Sequence, residues 1–540
     1  MYPAPAVFAR PAGVAIQRHT IQNPRSCRTL LSGVLCFISF FIFLIPEEGL
    51  MSQEQKKVER GTVEYERVGE EYLEKRSLQK KAGWVLLWGL GVGAVISGDY
   101  FGWNFGLSAG GFWGLAIATI AMAIMYITMM YSLAELSTAL PHAGGPYSFA
   151  RQTMGPWGGY LTGLAVVIEY VITPAVIVVG IGGYLHSIWP MVPLWIWWVL
   201  AYAIFVGINI WGVELTLKVS LVVTILATLI LFIFYIAAPL SGAWHWELLF
   251  NIEPAPGHSA TGLPFGWFGV FAALPFAIWF YLAIEELPLA AEEAEDVSRD
   301  MPKAMLLGIG ALVLLSFLTL IFNSGVGGGA KAIGVSDAPL AEGFQAVFGI
   351  GATSAILTLI GLTGLIASFH SIIYAYGRQI FALSRAGYFP RFWSLTLEGR
   401  HTPYVALIGG AIFGLIIALI LDKWGSGILG AALLNMAVFG AVISYVLMMI
   451  SYIIFKRRKN VKRPYVSPGG TLFAWISLVL AALAAISTLA NPDYRPGVYG
   501  VAVFYILGII YFWVYGRHQL VADAPEEEFA LIEEAEKELA

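Results

Sequence analysis

The chain has 540 residues, of which 58% are hydrophobic and only 12% charged, with a net charge of −4. Soluble domains carry about 25% charged residues, so this composition excludes a water-soluble protein and offers nucleic acid no basic surface. The cysteines, Cys27 and Cys36, give neither a disulfide framework nor a metal site, and the histidines show no HExxH or paired spacing, so no metal and no cofactor is inferred.

Residues 1–50 read as an N-terminal extension upstream of the true start. Arg10, Arg18, Arg25 and Arg28 precede an apolar run, Leu31 to Ile45. That run is shorter than the about 20 residues a span needs, and no small-residue cleavage site follows it. The polar stretch MSQEQKK at Met51 reads as an ordinary start, with an added membrane-inserted segment as the alternative. Residues 51–82 form a charged cytoplasmic arm with room for a short amphipathic helix.

Twelve apolar segments follow, near 83–108, 112–137, 157–187, 192–213, 219–239, 265–287, 304–326, 349–376, 403–421, 426–455, 470–490 and 496–516. Each is long enough to span a bilayer. Connections after even-numbered segments carry Arg151, Lys218, Arg299, Lys303, Arg378, Arg385, Arg391, Arg400 and KRRKNVKR at 456–463; those after odd-numbered segments carry only Lys331, Lys423 and Arg495. The positive-inside rule then puts both termini in the cytoplasm. The expectation is an all-α polytopic protein of the cytoplasmic membrane, with lipid as its surroundings. Its parts are a five-span repeat at 83–240, an external loop at 241–264, a second repeat at 265–456, two further spans at 457–516 and an acidic tail at 517–540. From Asp523 onward the tail holds eight acids against Lys537 and reads as solvated.

Two spans are interrupted. The first reads GVGAVISGDYFGWNFGL at 91–107, with Asp99 among glycines 91, 93, 98, 102 and 106. An aspartate at the centre of a spanning helix costs about 2.5–3.5 kcal/mol. Unwound backbone at that depth survives only where it lines a cavity or is buried in protein. Asp99 is therefore the candidate fixed anion for a cationic ligand, a structural ion pair being the alternative. The sixth span reads ALPFAIWFYLAIEELPLAAEEAED, with Pro275 inside and Pro288 at its end. Spans one and six open the two five-span groups, and broken segments at corresponding positions point to a midplane site in an inverted-repeat, leucine-transporter-like fold.

Four blocks extend this reading. GAVISGDYFGWNFGL (93–107), AELSTALPHAGGPYSFAR (134–151), FYLAIEELPLAAEEAEDVSRDMPKA (280–304) and YGRQIFALSRAGYFP (376–390) resemble the amino acid–polyamine–organocation superfamily, within it the ethanolamine permease branch. The resemblance covers 82–516. It implies that the span-one triplet Ile96, Ser97 and Gly98 corresponds to the backbone that holds an amino acid's carboxylate in related carriers. Here the first glycine of that triplet is missing and Asp99 directly follows the last. An anion there repels a carboxylate and favours an ammonium without one, such as protonated ethanolamine, a choline-like cation or a small diamine.

Rings facing an ammonium contribute about 0.5–2 kcal/mol each. Tyr100, Phe101 and Trp103 in span one and Trp279, Phe280 and Tyr281 in span six are the nearby aromatics, with Tyr100 and Tyr281 favoured as ligand contacts and the others read as packing. Ala283 stands where the superfamily has a glycine. Glu285 lies four residues after Tyr281 and seven before Glu292, so an unbroken helix would put all three on one face. Glu285 reads as a proton-titrating group of the pathway or as a structural hydrogen bond, and Glu292 with Glu293 as a cytoplasmic gate pair with basic loop residues. Glu169, inside span three, is the second candidate anion of a proton relay or a helix–helix contact. Ser368, His370 and Ser371 on span eight read as interhelical contacts, although hydroxyls of this span help hold sodium in sodium-coupled relatives. The span-five lysine of some proton-coupled relatives falls on Ala227 here, so proton or sodium coupling and exchange all stay open.

An enzyme would need more than GLSAG at 106–110, which ends an apolar segment and has no partner base. A channel would need a filter or pore rings. The expectation is a secondary transporter importing ethanolamine or a close amine by alternating access, with a general amino acid or polyamine permease or exchanger as the alternative.

Overall fold

The computed structural model describes residues 58–528, apart from 61, 337, 350, 425–429, 459–460 and 491–493, together with 530–531. Expectations for residues 1–50, and for the tail beyond 531, lie outside the described residues.

The fold is a bundle of apolar helices. Its long members are α4 (Phe105–Ala139), α5 (Pro146–Ile188), α6 (Leu194–Trp211), α7 (Val213–Leu240), α9 (Val297–Ser324), α12 (Ala352–Arg385), α13 (Tyr404–Trp424), α14 (Gly430–Lys456), α15 (Gly470–Ala490) and α16 (Arg495–Val514). Shorter helices are α1 (Glu70–Glu74), α2 (Trp84–Val95), α3 (Ser97–Tyr100), α8 (Gly266–Ile278), α10 (Gly329–Ile333) and α11 (Pro339–Phe348). Among the described residues, 8 helices are long and apolar enough to cross a membrane. The bundle is inside-out relative to a soluble protein. Val222, Leu229, Ile236 and Leu240 stand exposed along α7, and Leu472, Trp475, Val479, Leu483 and Ile486 along α15, while Asp99, Glu169, Glu285 and Glu286 are fully buried. Apolar stripes of this extent are stable facing lipid and not water.

Glycine marks two bends that the span boundaries anticipate. Gly111 (φ 70°) separates the end of the first interrupted segment from the second span within α4, and Gly155 (φ 74°) does the same at the start of the third within α5. Both angles lie in the left-handed region that glycine tolerates best.

The first interruption lies further along than the Ile96–Gly98 triplet. Backbone bonding hitches at Ile96, but the unwound stretch is 101–104, beginning at the extended Phe101 and turning through Gly102 (φ 97°). Asn104 anchors it, donating from Nδ2 to the carbonyls of Ile333 and Ser336 at 2.7 and 2.9 Å. In the sixth span α8 ends at Ile278, residues 279–283 form turns, and a 3-10 helix runs Ile284–Glu293.

The described part of the arm opens with strands. Strand β1 (Val58–Arg60) pairs antiparallel with β2 (Val63–Glu66), and β2 pairs in parallel with β3 (Leu520–Val521) from the tail. The five-residue α1 follows, and Lys81 and Ala82 then donate their N–H groups to the Glu293 carbonyl at 2.9 Å. Nor is the whole tail solvated: Glu526 and Glu527 are fully buried against the helices.

Candidate functional site

The two interruptions touch. A Cβ placed on Gly98 would lie 1.9 Å from the carbonyl oxygen of Trp279. That neighbour is backbone, so nothing flexible can yield. Gly98→Ala is expected to force the interruptions apart, costing about 1–3 kcal/mol or more by overpacking and abolishing uptake. Gly114→Ala, whose Cβ would meet backbone at an ordinary 3.6 Å, is the control. Detergent melting and uptake of both variants check the expectation.

Asp99 is 0% exposed. Its Oδ1 accepts the Thr319 hydroxyl at 2.8 Å, while Oδ2 has no hydrogen-bond partner. No Lys or Arg pairs with it among the described residues. Around it the hydroxyls are already engaged: Tyr235 with Thr319 at 2.5 Å, Tyr281 with Ser316 at 2.8 Å, and Tyr100 donating to the Ala227 carbonyl at 2.8 Å. Trp103 stacks on Phe280 with centroids 5.3 Å apart, and the Trp279 ring covers Gly102. Five backbone donors are occupied too. Ile96 N–H bonds Val92 O, Ser97 N–H bonds Ser368 Oγ, Asp99 N–H bonds Ile96 O, Phe101 N–H bonds Ser97 O, and Gly102 N–H bonds Asn104 Oδ1. Among the described residues at this point, Asp99 Oδ2, an acceptor for a cation, and the Trp103 Nε1 donor are buried without a partner.

Ala283 takes the left-handed conformation (φ 80°, ψ 3°) that costs an L-residue about 1–2 kcal/mol. The helix is broken at this turn, so the unbroken helix that would put Tyr281, Glu285 and Glu292 on one face does not form. Tyr281 points to Ser316. Glu285 Oε1 accepts the Tyr445 hydroxyl at 2.9 Å, and Tyr445 meets Tyr126 at 2.8 Å. Glu169 is fully buried and neither of its carboxyl oxygens has a hydrogen-bond partner. Glu292 accepts the Ala143 N–H at 2.9 Å and pairs with Arg385, and Glu293 pairs with Arg378 at 2.7 Å and accepts the Tyr374 hydroxyl.

The span-eight residues hold helices together. Ser368 donates to Gly93 O at 2.9 Å, and Ser371 meets Ser220 at 2.8 Å beside Thr224, which donates to Gly89 O. His370 Nε2 bonds the Thr216 carbonyl at 3.0 Å and its Nδ1 faces the Asn209 amide at 3.2 Å. Ser108 of GLSAG donates to Gly334 O.

Sequence reasoning missed the polar residues that complete these groups. Ser316 and Thr319 sit about one helical turn apart inside an apolar span, a spacing that was visible but lacked a partner. Glu135 is fully buried and binds Lys456, Tyr452 and the Ser467 N–H. On the arginine-bearing face, Arg385 joins Glu292 to Glu526 at 2.6 Å. Arg151 joins Glu527 at 2.6 Å and Tyr65 at 2.8 Å, Tyr388 donates to Glu527, and Arg391 pairs with Glu66 at 2.7 Å. Burial is the largest influence on Glu292 and Glu526. It keeps the Glu526 carboxyl raised despite Arg385, whereas at Glu292 the guanidinium and the Ala143 N–H outweigh it and hold the group below its usual range.

Buried carboxyls without counter-ions, set beside interrupted segments in a lipid-facing helical bundle, define a membrane transporter. Comparison with known proteins resolves the class further: residues 85–524 match the amino acid permease family, and the chain belongs to it. It is 27% identical over 439 residues to an uncharacterized transporter of Rhizobium meliloti, covering 79% of this chain and 90% of that protein. It is 23% identical over 466 residues to the branched-chain amino acid permease BcaP of Bacillus subtilis, covering 82% and 94%, and 23% identical over 442 residues to the L-asparagine permease of Salmonella typhimurium, covering 77% and 84%. The chain is accordingly a multi-pass transporter and not an enzyme.

Proposed function

We propose that this permease imports ethanolamine or a closely related small amine across the cytoplasmic membrane by alternating access. In this reading the twelve spans form two inverted five-span repeats with a pair after them, both termini are cytoplasmic, and the arginine-bearing face is the inner one. The supporting observation is Asp99: a fully buried carboxyl with one oxygen held by Thr319 and the other unmatched. An ammonium is the cation that a lone carboxylate oxygen and surrounding rings recognise. A zwitterion would also need donors for its own carboxylate, and the nearby backbone N–H groups named above already have partners.

A permease for an amino acid is the second reading, favoured by the names of the relatives. Counterflow uptake in liposomes with labelled ethanolamine, choline, putrescine and alanine separates the two. Ethanolamine is expected to exchange fastest. Alanine competing as well as ethanolamine would replace the amine reading with the second.

A further inference from the structure

A cavity of about 390 Å³ lies where the arm meets the arginine-bearing face, and Asp99 takes no part in it. Four parts of the chain wall it: the arm at Arg76 and Lys80, the 3-10 segment of span six at Glu292, the end of α12 at Arg385 and the tail at Pro525. Leu73, Leu78 and Val297 supply an apolar side. A mainly apolar wall with a few placed polar groups is the form of a small-molecule site.

The charges on the wall decide what it takes. Three cations, Arg76, Lys80 and Arg385, line the space with one acid, Glu292. That acid is already held, by Arg385 at 2.5 Å and by the Ala143 N–H at 2.9 Å. Arg385 also holds Glu526 at 2.6 Å, yet its Nε is buried without a hydrogen-bond partner. Arg76 is buried and fixed in place, Nε donating to Ser394 Oγ at 2.7 Å and Nη1 to the Tyr72 carbonyl at 3.1 Å. Lys80 is exposed and forms no ion pair among the described residues. A buried charged donor left without an acceptor is costly, and an anion in the cavity relieves it. Two guanidinium groups and an ammonium around one space suit a phosphate, whose several oxygens accept charge-assisted bonds from more than one cation. The same cations repel a metal ion or an ammonium.

We propose that this cavity binds a phosphate-bearing small molecule with an apolar or aromatic body, and that the bound anion holds the arginine-bearing face closed. Its walls belong to parts that are joined across a seam. Lys81 and Ala82, at the entry to span one, donate to the Glu293 carbonyl at 2.9 Å, and the Glu295 N–H bonds the Ala82 carbonyl at 3.0 Å. A ligand reaching from Lys80 to Arg385 crosses that seam, so it binds the closed arrangement better than an open one and shifts the population toward it. The site assumes neither substrate nor orientation; the closing role rests on the alternating access of the proposed function.

Protection from thiol labelling tests the site without transport. In the full chain carrying Cys27→Ser and Cys36→Ser, Ser77→Cys puts a near-isosteric thiol on the cavity wall. In phosphatidylcholine nanodiscs, AMP is expected to slow maleimide labelling of that thiol, inorganic phosphate to slow it less, and adenosine not at all. Lys80→Glu, a change at an exposed position, should raise the AMP concentration needed by about tenfold or more, the loss of one charged hydrogen bond. AMP should also raise the melting temperature of the unsubstituted chain, a measurement that needs no variant. Slowing by phosphatidylglycerol nanodiscs in place of AMP supports the site and assigns its phosphate to a lipid headgroup. Equal protection by adenosine, protection unaltered by Lys80→Glu, or no protection by any of these probes overturns the proposal. In proteoliposomes, AMP on the arginine-bearing side alone is expected to slow counterflow of labelled ethanolamine or alanine, whichever exchanges, but not in Lys80→Glu. Protection without that slowing overturns the closing role. If neither label exchanges, the transport reading fails, and the labelling result still decides the site by itself.

Discussion

Asp99→Asn is expected to abolish amine binding while leaving the protein folded. The side chain keeps its shape, and Thr319 still donates to the Oδ1 position, so the packing of α3 against α9 survives. What changes is the charge. Removing one partner of a buried ion pair costs about 3–5 kcal/mol, so affinity for ethanolamine should fall by roughly two to four orders of magnitude. The empty protein should be no less stable, because an uncompensated carboxyl has been taken out of an apolar setting. Asp99→Glu keeps the charge but carries it one methylene further into a packed site, and should recover only part of the affinity. Scintillation proximity binding and detergent melting of the three proteins check these outcomes. Retained affinity in Asp99→Asn would make the residue structural, and an equal loss of melting temperature would mean the substitution reports on folding.

The second large effect is expected at Arg385. The guanidinium is 3% exposed and holds Glu292 and Glu526 together, with Nη1 also donating to the Arg76 carbonyl. Arg385→Ala strands the buried Glu526 carboxyl and the partly buried Glu292, a loss of about 3–5 kcal/mol for the interactions made there. The tail is the part expected to respond first, since Arg385 holds Glu526 directly and β3 is only two residues long. Undocking of 520–527 is therefore expected before the bundle melts. A cysteine at Ala524, which is fully buried, should label rapidly in Arg385→Ala and slowly in the parent. Arg385→Lys should rescue little, because one ammonium cannot reproduce a planar fork that reaches two acids. Equal labelling rates would show that the docked tail depends on other contacts.

These two sites differ in how far the amino-acid order foretells them. Asp99 is conspicuous because a carboxylate inside an apolar run is costly wherever the chain folds. The place where the backbone unwinds is harder to read: five glycines between 91 and 106 offer several stopping points. Gly102 is used because Asn104 secures that turn to Ile333 and Ser336, residues far along the chain. The common face assigned to Tyr281, Glu285 and Glu292 assumes helical periodicity, and a single left-handed residue, Ala283, defeats it. Alanine is an excellent helix former, so no local rule marks that position. The tail is a different case. A run of glutamates reads as solvated because its partners, Arg385 and Arg151, lie 141 and 376 residues away. Composition records how many charges a segment has and says nothing of which distant cations the bundle has collected.

The strand that ties the tail to the arm also has a consequence for biosynthesis. Leu520, Glu526 and Glu527 leave the ribosome after every helix of the bundle, yet Arg151 and Arg385 depend on those glutamates for their charge balance. Throughout elongation Arg151 and Arg385 lack these late glutamates, Arg385 having Glu292 beside it from the start. The stretch that follows the helices thus completes this face of the permease, and a nascent chain stalled just after Val514 should hold its helices inserted with that face still unsealed.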